Sequence, residues 1–397
     1  MAVIVINAVG AKMGGALRHL SNFLAALDGI AVDDRYIVYL AQGVNLGFAG
    51  QNVEIRYPKG PLDSPGKRIY FDQVVVPRIC REANASALLS VLNFGTLKPP
   101  CPQVVFERNA LYFWDGFWTG IPLRRRPLEY LRKWLIRMSM RSAKIVVCPS
   151  EAMKADILRS HPDIGAGKIR VIPHGFEKDD FLSANSAMTT ESEAALMQFT
   201  SRREVKLLFV GHPAYYKGSD ILFDSLSILK SKDVGFSLYM PIETGANVNA
   251  GRRVAGYDEA AFRFRQGALD AGLQENVVFG GWIPENAMNR VYKAADIFIF
   301  PSLCESFGFP MLEAMAAGLP VIAADTPVNR EILGGTAVYY PPRSPEELAK
   351  KIMETSSNLE FRKKLAAASL KRATEYPWNW VRYATEISNI IKGCDLQ

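Results

Sequence analysis

The chain reads as an α/β protein built from two parallel-sheet domains, and three observations carry the reading. Its 397 residues exceed one ordinary core and suit two domains of about 200 each. Short apolar runs alternate with helical segments throughout, the pattern of parallel strands joined by crossover helices. A polar, Ala- and Ser-rich stretch at 183–203 divides the alternation into two series. Hydrophobic residues make up 49% and charged residues 22%, the balance of a soluble globular chain. No run reaches the ~18 apolar residues that a membrane span needs.

Taken in order, residues 1–6 (Met-Ala-Val-Ile-Val-Ile) are apolar at once without a basic leader. They read as a first buried strand over 3–6 and not as a signal peptide. The loop Gly10-Ala-Lys-Met-Gly-Gly15 leads to a helix over 17–27, then to strands at 36–40 and 53–57. Residues 58–68, rich in Pro and Gly, read as an irregular exposed loop. Strands at 87–91, 103–107 and 144–148 continue the sheet, and Ile169-Arg-Val-Ile-Pro-His-Gly175 closes it with a strand and a turn. The second series has strands at 206–210, 236–240, 276–279, 296–300, 320–324 and 337–340. The expected division is 1–180 and 181–377, with a last helix at about 378–397.

The densest chemistry lies in Glu305-Ser-Phe-Gly-Phe-Pro-Met-Leu-Glu313. A short apolar run closed by Pro301 precedes it and reads as a buried strand. Helix formers ending at Gly318 follow it. Two carboxylates thus flank a strand-to-helix junction, the place where open α/β sheets bind ligands. Gly308 permits close backbone approach, Pro310 suits a first helical turn, and a helix start offers N–H groups to an anion. A ligand with both phosphates and hydroxyls fits, as in a nucleotide sugar. A glutamate near a helix start is also, more plainly, a favourable dipole partner. In Phe209-Val-Gly-His-Pro-Ala-Tyr-Tyr-Lys-Gly218, Lys217 stands beside a second helix start, where it would neutralise a diphosphate oxygen.

These segments belong to a longer ordered string. Asn276-Val-Val-Phe-Gly-Gly-Trp-Ile283 comes first, then Tyr292-Lys-Ala-Ala-Asp-Ile-Phe-Ile-Phe-Pro-Ser302 and the Glu305 segment. Glu313-Ala-Met-Ala-Ala-Gly-Leu-Pro-Val-Ile322, Glu331 and Pro341-Pro342 complete it. The string closely resembles the C-terminal signature of the retaining, group 1 glycosyltransferases of family four. The resemblance covers most of 205–345 and is patchy over 1–180, where Gly14-Gly15 and Ile172-Pro-His-Gly175 carry it.

That resemblance implies the GT-B architecture, two Rossmann-like domains facing a cleft, with the last helix crossing back onto the first domain. It implies metal-independent, cofactor-free transfer of a sugar from a nucleotide-diphosphate sugar to a glycan or lipid-linked saccharide, in surface polysaccharide assembly. Glu313 would hold the ribose hydroxyls and Glu305 the hydroxyls of the donor sugar. Lys217 and the segment Ser306, Phe307, Gly308, Phe309, Pro310, Met311 and Leu312 would cradle the diphosphate. Trp282 and Ile283 would lie against the nucleobase, and the backbone of Gly14 and Gly15 would approach the donor phosphate. Three departures matter. His212 stands where the family has an Arg, a weaker and pH-dependent substitute. The usual catalytic-loop His is missing, and Glu107, Arg108 and Asn109 stand in its place as candidates to touch the sugar or acceptor. Met240-Pro-Ile-Glu-Thr-Gly-Ala-Asn247 replaces a Gly-x-Gly turn.

The net charge of +7 and pI near 9.0 come with no helix-turn-helix or aromatic-rich recognition motif, so nucleic acid is not an expected partner. Cys80, Cys101, Cys148, Cys304 and Cys394 lack metal-ligand spacing, which predicts a reducing cytoplasm and no zinc site. The basic stretch 121–144 reads as an amphipathic helix whose apolar face carries Leu131, Leu135 and Met138. It suits either a core-facing helix or an anionic membrane surface at the inner face of the membrane. Tyr112, Phe113, Trp114, Phe117 and Trp118 would stack on sugars, cover a lipid or simply pack. His19 reads as a helix-surface residue. A nucleotide-sugar epimerase and a non-catalytic sugar-nucleotide binder remain as alternatives.

Overall fold

The computed structural model describes residues 2–11, 14–30, 34–47, 50–212, 214–242 and 257–395. The chain forms two compact units. Residues 1–176 with 378–397 make the first, and 177–377 the second. Among the described residues no helix is long and apolar enough to cross a membrane.

The first unit is built on seven parallel strands: β1 (Val3–Asn7), β2 (Arg35–Tyr39), β3 (Val53–Arg56), β4 (Ala87–Ser90), β5 (Gln103–Phe106), β6 (Ile145–Cys148) and β7 (Ile169–Val171). They lie in the order β3-β2-β1-β4-β5-β6-β7. The order reverses between β1 and β4, so ligand-binding loops are expected at the carboxyl ends of those strands. Ile4, Val5, Ile6, Leu88, Leu89, Val104 and Val105 are fully buried, as befits a sheet covered on both faces.

The helix Gly14–Ile30 covers one face, and the last helix, Trp380–Asp395, packs on it. His19, expected at a helix surface, is instead 2% exposed. It sits edge-on to His174, Trp380 and Tyr383, with ring centroids 4.5, 5.2 and 4.9 Å away. Burial, and then the Arg108 charge, hold both imidazoles well below the ordinary histidine pKa. The sequence pattern concealed this because the surface that buries His19 comes from the far end of the chain.

Two further expectations are corrected. Residues 58–68 are not wholly irregular: Ser64 caps a helix at Pro65–Tyr70 by accepting from the Lys67 N–H. A π-helical turn, Phe71–Val75, and a helix, Val76–Glu82, continue it. Pro77 accounts for the wide turn, since it lacks an N–H and its ring crowds the carbonyl four residues back. The separator 183–203 likewise contains a helix, Thr190–Thr200, that belongs to the second unit.

The basic stretch forms the helix Arg126–Ser142, which buries Glu129, Leu135, Ile136, Ser139 and Met140. Leu131, read on one apolar face with Leu135 and Met138, is 43% exposed. Leu123, Tyr130 and Trp134 are exposed as well. Phe113 and Phe117 are buried, and Trp118 stacks on Tyr130 at 4.4 Å. Lys133 lies 4.7 Å over the Phe117 ring. Much of the 112–118 aromatic cluster is therefore packing beneath this helix.

The second unit has six parallel strands: β8 (Val205–Leu208), β9 (Phe236–Met240), β10 (Val277–Phe279), β11 (Ile297–Phe300), β12 (Val321–Ala324) and β13 (Ala337–Tyr340). Their order is β10-β9-β8-β11-β12-β13. The reversal falls between β8 and β11, which are hydrogen-bonded neighbours.

In the first unit, a Cβ at Gly175 would stand 2.7 Å from the Trp380 backbone nitrogen. Gly175→Ala should therefore loosen the docking of the last helix and destabilise the first unit by ~1–3 kcal/mol, the usual cost of overpacking. Urea unfolding followed by tryptophan fluorescence checks this, and an unchanged midpoint would contradict it.

Candidate functional site

The loops after β8 and β11 meet at the switch point of the second unit. The Leu303 N–H donates to the Tyr216 carbonyl at 2.8 Å. Gly218 adopts φ +70°, and a Cβ there would stand 2.3 Å from the Pro301 carbonyl oxygen. Only glycine serves both demands. This backbone weld brings Lys217 and Glu305, 88 residues apart in sequence, to an Nζ–Oε1 distance of 2.5 Å. Their side chains are 16% and 10% exposed. Burial by itself lowers the Lys217 pKa, but the Glu305 charge, Tyr216 and the hydrogen bond outweigh it, and the net shift is upward. Lys217 is a committed ammonium at neutral pH.

Gly308, at φ +91°, starts the helix Phe309–Ala316. Glu313 lies one turn in, 7% exposed, and its Oε2 accepts from the Tyr292 hydroxyl at 2.8 Å. Tyr292 is fully buried, and a buried phenol needs such a partner. Sequence reasoning quoted Tyr292 within its motif without giving it this role. The buried Asn329 donates to the carbonyls of Ala324 and Ser302, tying the end of β12 to the loop after β11. It too went unnoticed.

The segment 306–312 follows β11 and enters the helix Phe309–Ala316. Pro310 has no N–H, and the Met311 N–H donates to the Gly308 carbonyl at 3.0 Å. The side chains of Phe307, Met311 and Leu312 are buried. Trp282 is 41% exposed while Ile283 is buried, and Gly281 turns the chain there at φ +70°. His212 follows β8 by a few residues. Partial desolvation and then the Lys217 charge lower its pKa below the ordinary histidine value. Residues 243–247 of the expected loop lie outside the described residues.

In the first unit, the helix Gly14–Ile30 begins at the glycine pair, and the space around a Cβ on Gly15 is open. Glu107 does not present itself to a ligand. It is 0% exposed, and its Oε2 accepts from Asn93 Nδ2 at 2.5 Å. Burial raises its pKa well above the ordinary carboxyl value, against the Asn93 bond. The Asn93 amide oxygen in turn accepts from the Arg108 N–H at 3.3 Å, so Glu107 and Asn93 lock the loops after β4 and β5 together. Asn109 is exposed, and its side chain accepts from the Leu111 N–H at 3.1 Å, capping a 3₁₀ turn.

Two parallel sheets, each reversing its strand order at a switch point, define a two-domain α/β fold shared with solved glycosyltransferases. The whole chain superposes on the lipopolysaccharide-biosynthesis glycosyltransferase WaaG with TM-score 0.74 at 18% identity, covering 98% of this chain and 100% of that one. It matches Anabaena HepE in complex with UDP and glucose with TM-score 0.71 at 17% identity, over 98% and 99% of the two chains. The family description "Glycosyltransferase Family 4" matches residues 13–180 and "Glycosyl transferases group 1" matches 198–372. The chain belongs to the group 1 glycosyltransferases of family four. It is 25% identical to the O-antigen chain mannosyltransferase RfbU of Salmonella typhimurium over 64% of each chain. It is 24% identical to the mannosylfructose-phosphate synthase of Agrobacterium fabrum, over 64% of this chain and 54% of that one. The chain thus spans less than two thirds of the length of these curated relatives.

The burial of Glu107 generates a pH prediction. With its folded pKa raised above 4.5, the folded state holds a proton that the unfolded chain releases. This contribution is therefore full below pH 4.5 and is lost as pH rises through the folded pKa. Glu107→Gln keeps an oxygen for Asn93 and removes the titration. The urea midpoint should fall less between pH 5 and pH 7 in the variant than in the wild type. Equal falls would contradict a neutral, buried Glu107.

Proposed function

We propose that the protein is a retaining, metal-independent glycosyltransferase. It moves a sugar from a nucleotide-diphosphate sugar to a glycan or lipid-linked saccharide in surface polysaccharide assembly. The observation that carries this is the Lys217–Glu305 pair at the switch point, with Glu313 held one turn into the adjoining helix. Lys217 supplies the fixed positive charge that a departing diphosphate needs, as oriented cations and helix starts do in other enzymes. Glu313 accepts from ribose hydroxyls and Glu305 from hydroxyls of the donor sugar. The acceptor oxygen attacks C1 on the face that the phosphate leaves. The C1–O bond to phosphate breaks, the new C–O bond forms, and the acceptor proton passes to the departing phosphate oxygen. Glu305 is not the nucleophile in this reading, because its carboxylate lies at the hydroxyl face of the sugar. RfbU, by its name, transfers mannose to an O-antigen chain, which supports a glycan acceptor. The relatives' names favour neither the epimerase nor the binding-protein alternative.

The exposed residues Leu123, Tyr130, Leu131 and Trp134, beside Arg124 and Arg125, further support contact with an anionic membrane at its inner face. Co-sedimentation with anionic but not neutral vesicles, lost in high salt and in the Arg124→Ala/Arg125→Ala variant, is the expected outcome. Binding to neither vesicle would remove the membrane from the account.

The transfer itself is tested by a panel of nucleotide sugars, reading free nucleotide with and without acceptor. The wild type should release nucleotide in an acceptor-dependent way, and Lys217→Ala should lower turnover by ~10²-fold or more. Glu313→Gln should weaken nucleotide binding by about 1.5–3 kcal/mol. Sugar interconversion without release, or intact donors throughout, would refute transfer.

A further inference from the structure

A groove of about 700 Å³ opens in the first unit, lined by none of the residues placed above in the donor site. One wall is the loop after β3, from Tyr57 to Leu62, and the other is the helical stretch from Gly66 to Glu82. Tyr39 ends β2 and Tyr57 follows β3, so the groove lies at the carboxyl edge of the sheet, where open α/β sheets take ligands. Both walls are fixed. Gln42 Nε2 donates to the Pro58 carbonyl at 3.0 Å, and the Tyr57 hydroxyl donates to the Val44 carbonyl at 3.1 Å. On the helical side, Asp72 accepts from Asn7 at the end of β1 and from Arg68, each at 2.7 Å. The π-helical turn Phe71–Val75 forms part of that wall, a distortion often found at functional sites.

The groove's chemistry is two-sided. Leu62, Phe71, Val75 and Ile79 give it an apolar lining. Lys59 on one wall and Arg78 on the other are exposed, and neither makes an ion pair among the described residues. Lys67, also in the lining, is occupied by Asp63 at 2.8 Å. Two uncommitted cations over an apolar floor complement an anionic group joined to a hydrocarbon chain. Glu82 at the margin opposes a ligand of uniform negative charge and favours one whose anion is confined to one end.

We propose that this groove binds the phosphorylated head and first carbons of a lipid-linked acceptor, with Lys59 and Arg78 on the phosphate and the apolar lining on the chain. The proposal rests on the acceptor reading above. The probe is decyl phosphate, held below its micelle concentration and titrated calorimetrically into the full-length protein. Decyl glucoside and inorganic phosphate serve as controls. Decyl phosphate should bind saturably, at least tenfold more tightly than either control. Lys59→Ala/Arg78→Ala should weaken it at least tenfold, and Tyr70→Ala, which trims the exposed mouth, should weaken it severalfold. These residues are at the surface, and an unchanged thermal midpoint will verify folding. Equal affinity for decyl glucoside, binding only to inorganic phosphate, or unaltered binding in the double variant would overturn the proposal. Nucleotide release measured on the same samples separates the two readings. Sugar transfer to a water-soluble acceptor without decyl phosphate binding refutes the groove alone. Decyl phosphate binding without any transfer refutes the enzyme reading and leaves an anionic-amphiphile site.

Discussion

The second unit depends on one backbone contact, the seating of Gly218 against the Pro301 carbonyl. The hydrogen bond from Leu303 to Tyr216 fixes that contact. Everything chemical there follows from it. Two loops from strands that wind in opposite directions would otherwise diverge, because the chain leaves β8 toward β9 and leaves β11 toward β12. Joined at the reversal, they set an ammonium against a carboxylate in a largely buried place. Such a pair is a poor source of stability, since desolvation opposes the attraction, but removing one partner costs ~3–5 kcal/mol. Its presence therefore points to work beyond folding. In the proposed reaction, a diphosphate beside Lys217 would share the role of Glu305 and free that carboxylate for sugar hydroxyls.

The first unit uses buried polar groups differently. Glu107, Asn93 and Arg108 join the ends of β4 and β5, while Asn7, Asp72 and Arg68 join the end of β1 to the helical wall of the groove. Burial is the largest influence on both carboxyls and raises each. These networks shape the carboxyl edge of the sheet with their carboxyls held inside hydrogen bonds. The exposed cations Lys59 and Arg78 are the groups available for recognition at the groove. A division emerges between a second unit that concentrates charge at its switch point and a first unit whose polar interior joins strand ends.

The fold was largely legible in the sequence. Strands such as β9 and β13 were read to the residue, and the others to within two, because parallel strands buried on both faces are short uninterrupted apolar runs. Glu305, Glu313 and Lys217 were legible because their loops carry Gly and Pro at positions that dictate backbone shape. Contacts across distance were not. No local pattern reveals that Lys217 meets Glu305, or that Tyr292 reaches Glu313. The burial of His19 depends on Trp380 and Tyr383, more than 300 residues on, while helical periodicity alone suggested a surface. The helix at Pro65–Tyr70 was obscured by surrounding Pro and Gly, although Ser64-Pro65 is a cap followed by a favoured first position. Leu131 and Leu135 were read on one face, yet only Leu135 is buried, because the helix Arg126–Ser142 carries two apolar stripes and period alone does not say which one faces inward.

The account stands most directly on what a bound nucleotide does to the Lys217–Glu305 contact. A crystal structure with a nucleoside diphosphate is the decisive measurement. The account predicts a diphosphate oxygen about 3 Å from Lys217 Nζ, with ribose hydroxyls in hydrogen-bond reach of Glu313. Nucleotide bound elsewhere, with Lys217 still 2.5 Å from Glu305 and Glu313 touching only Tyr292, would contradict it.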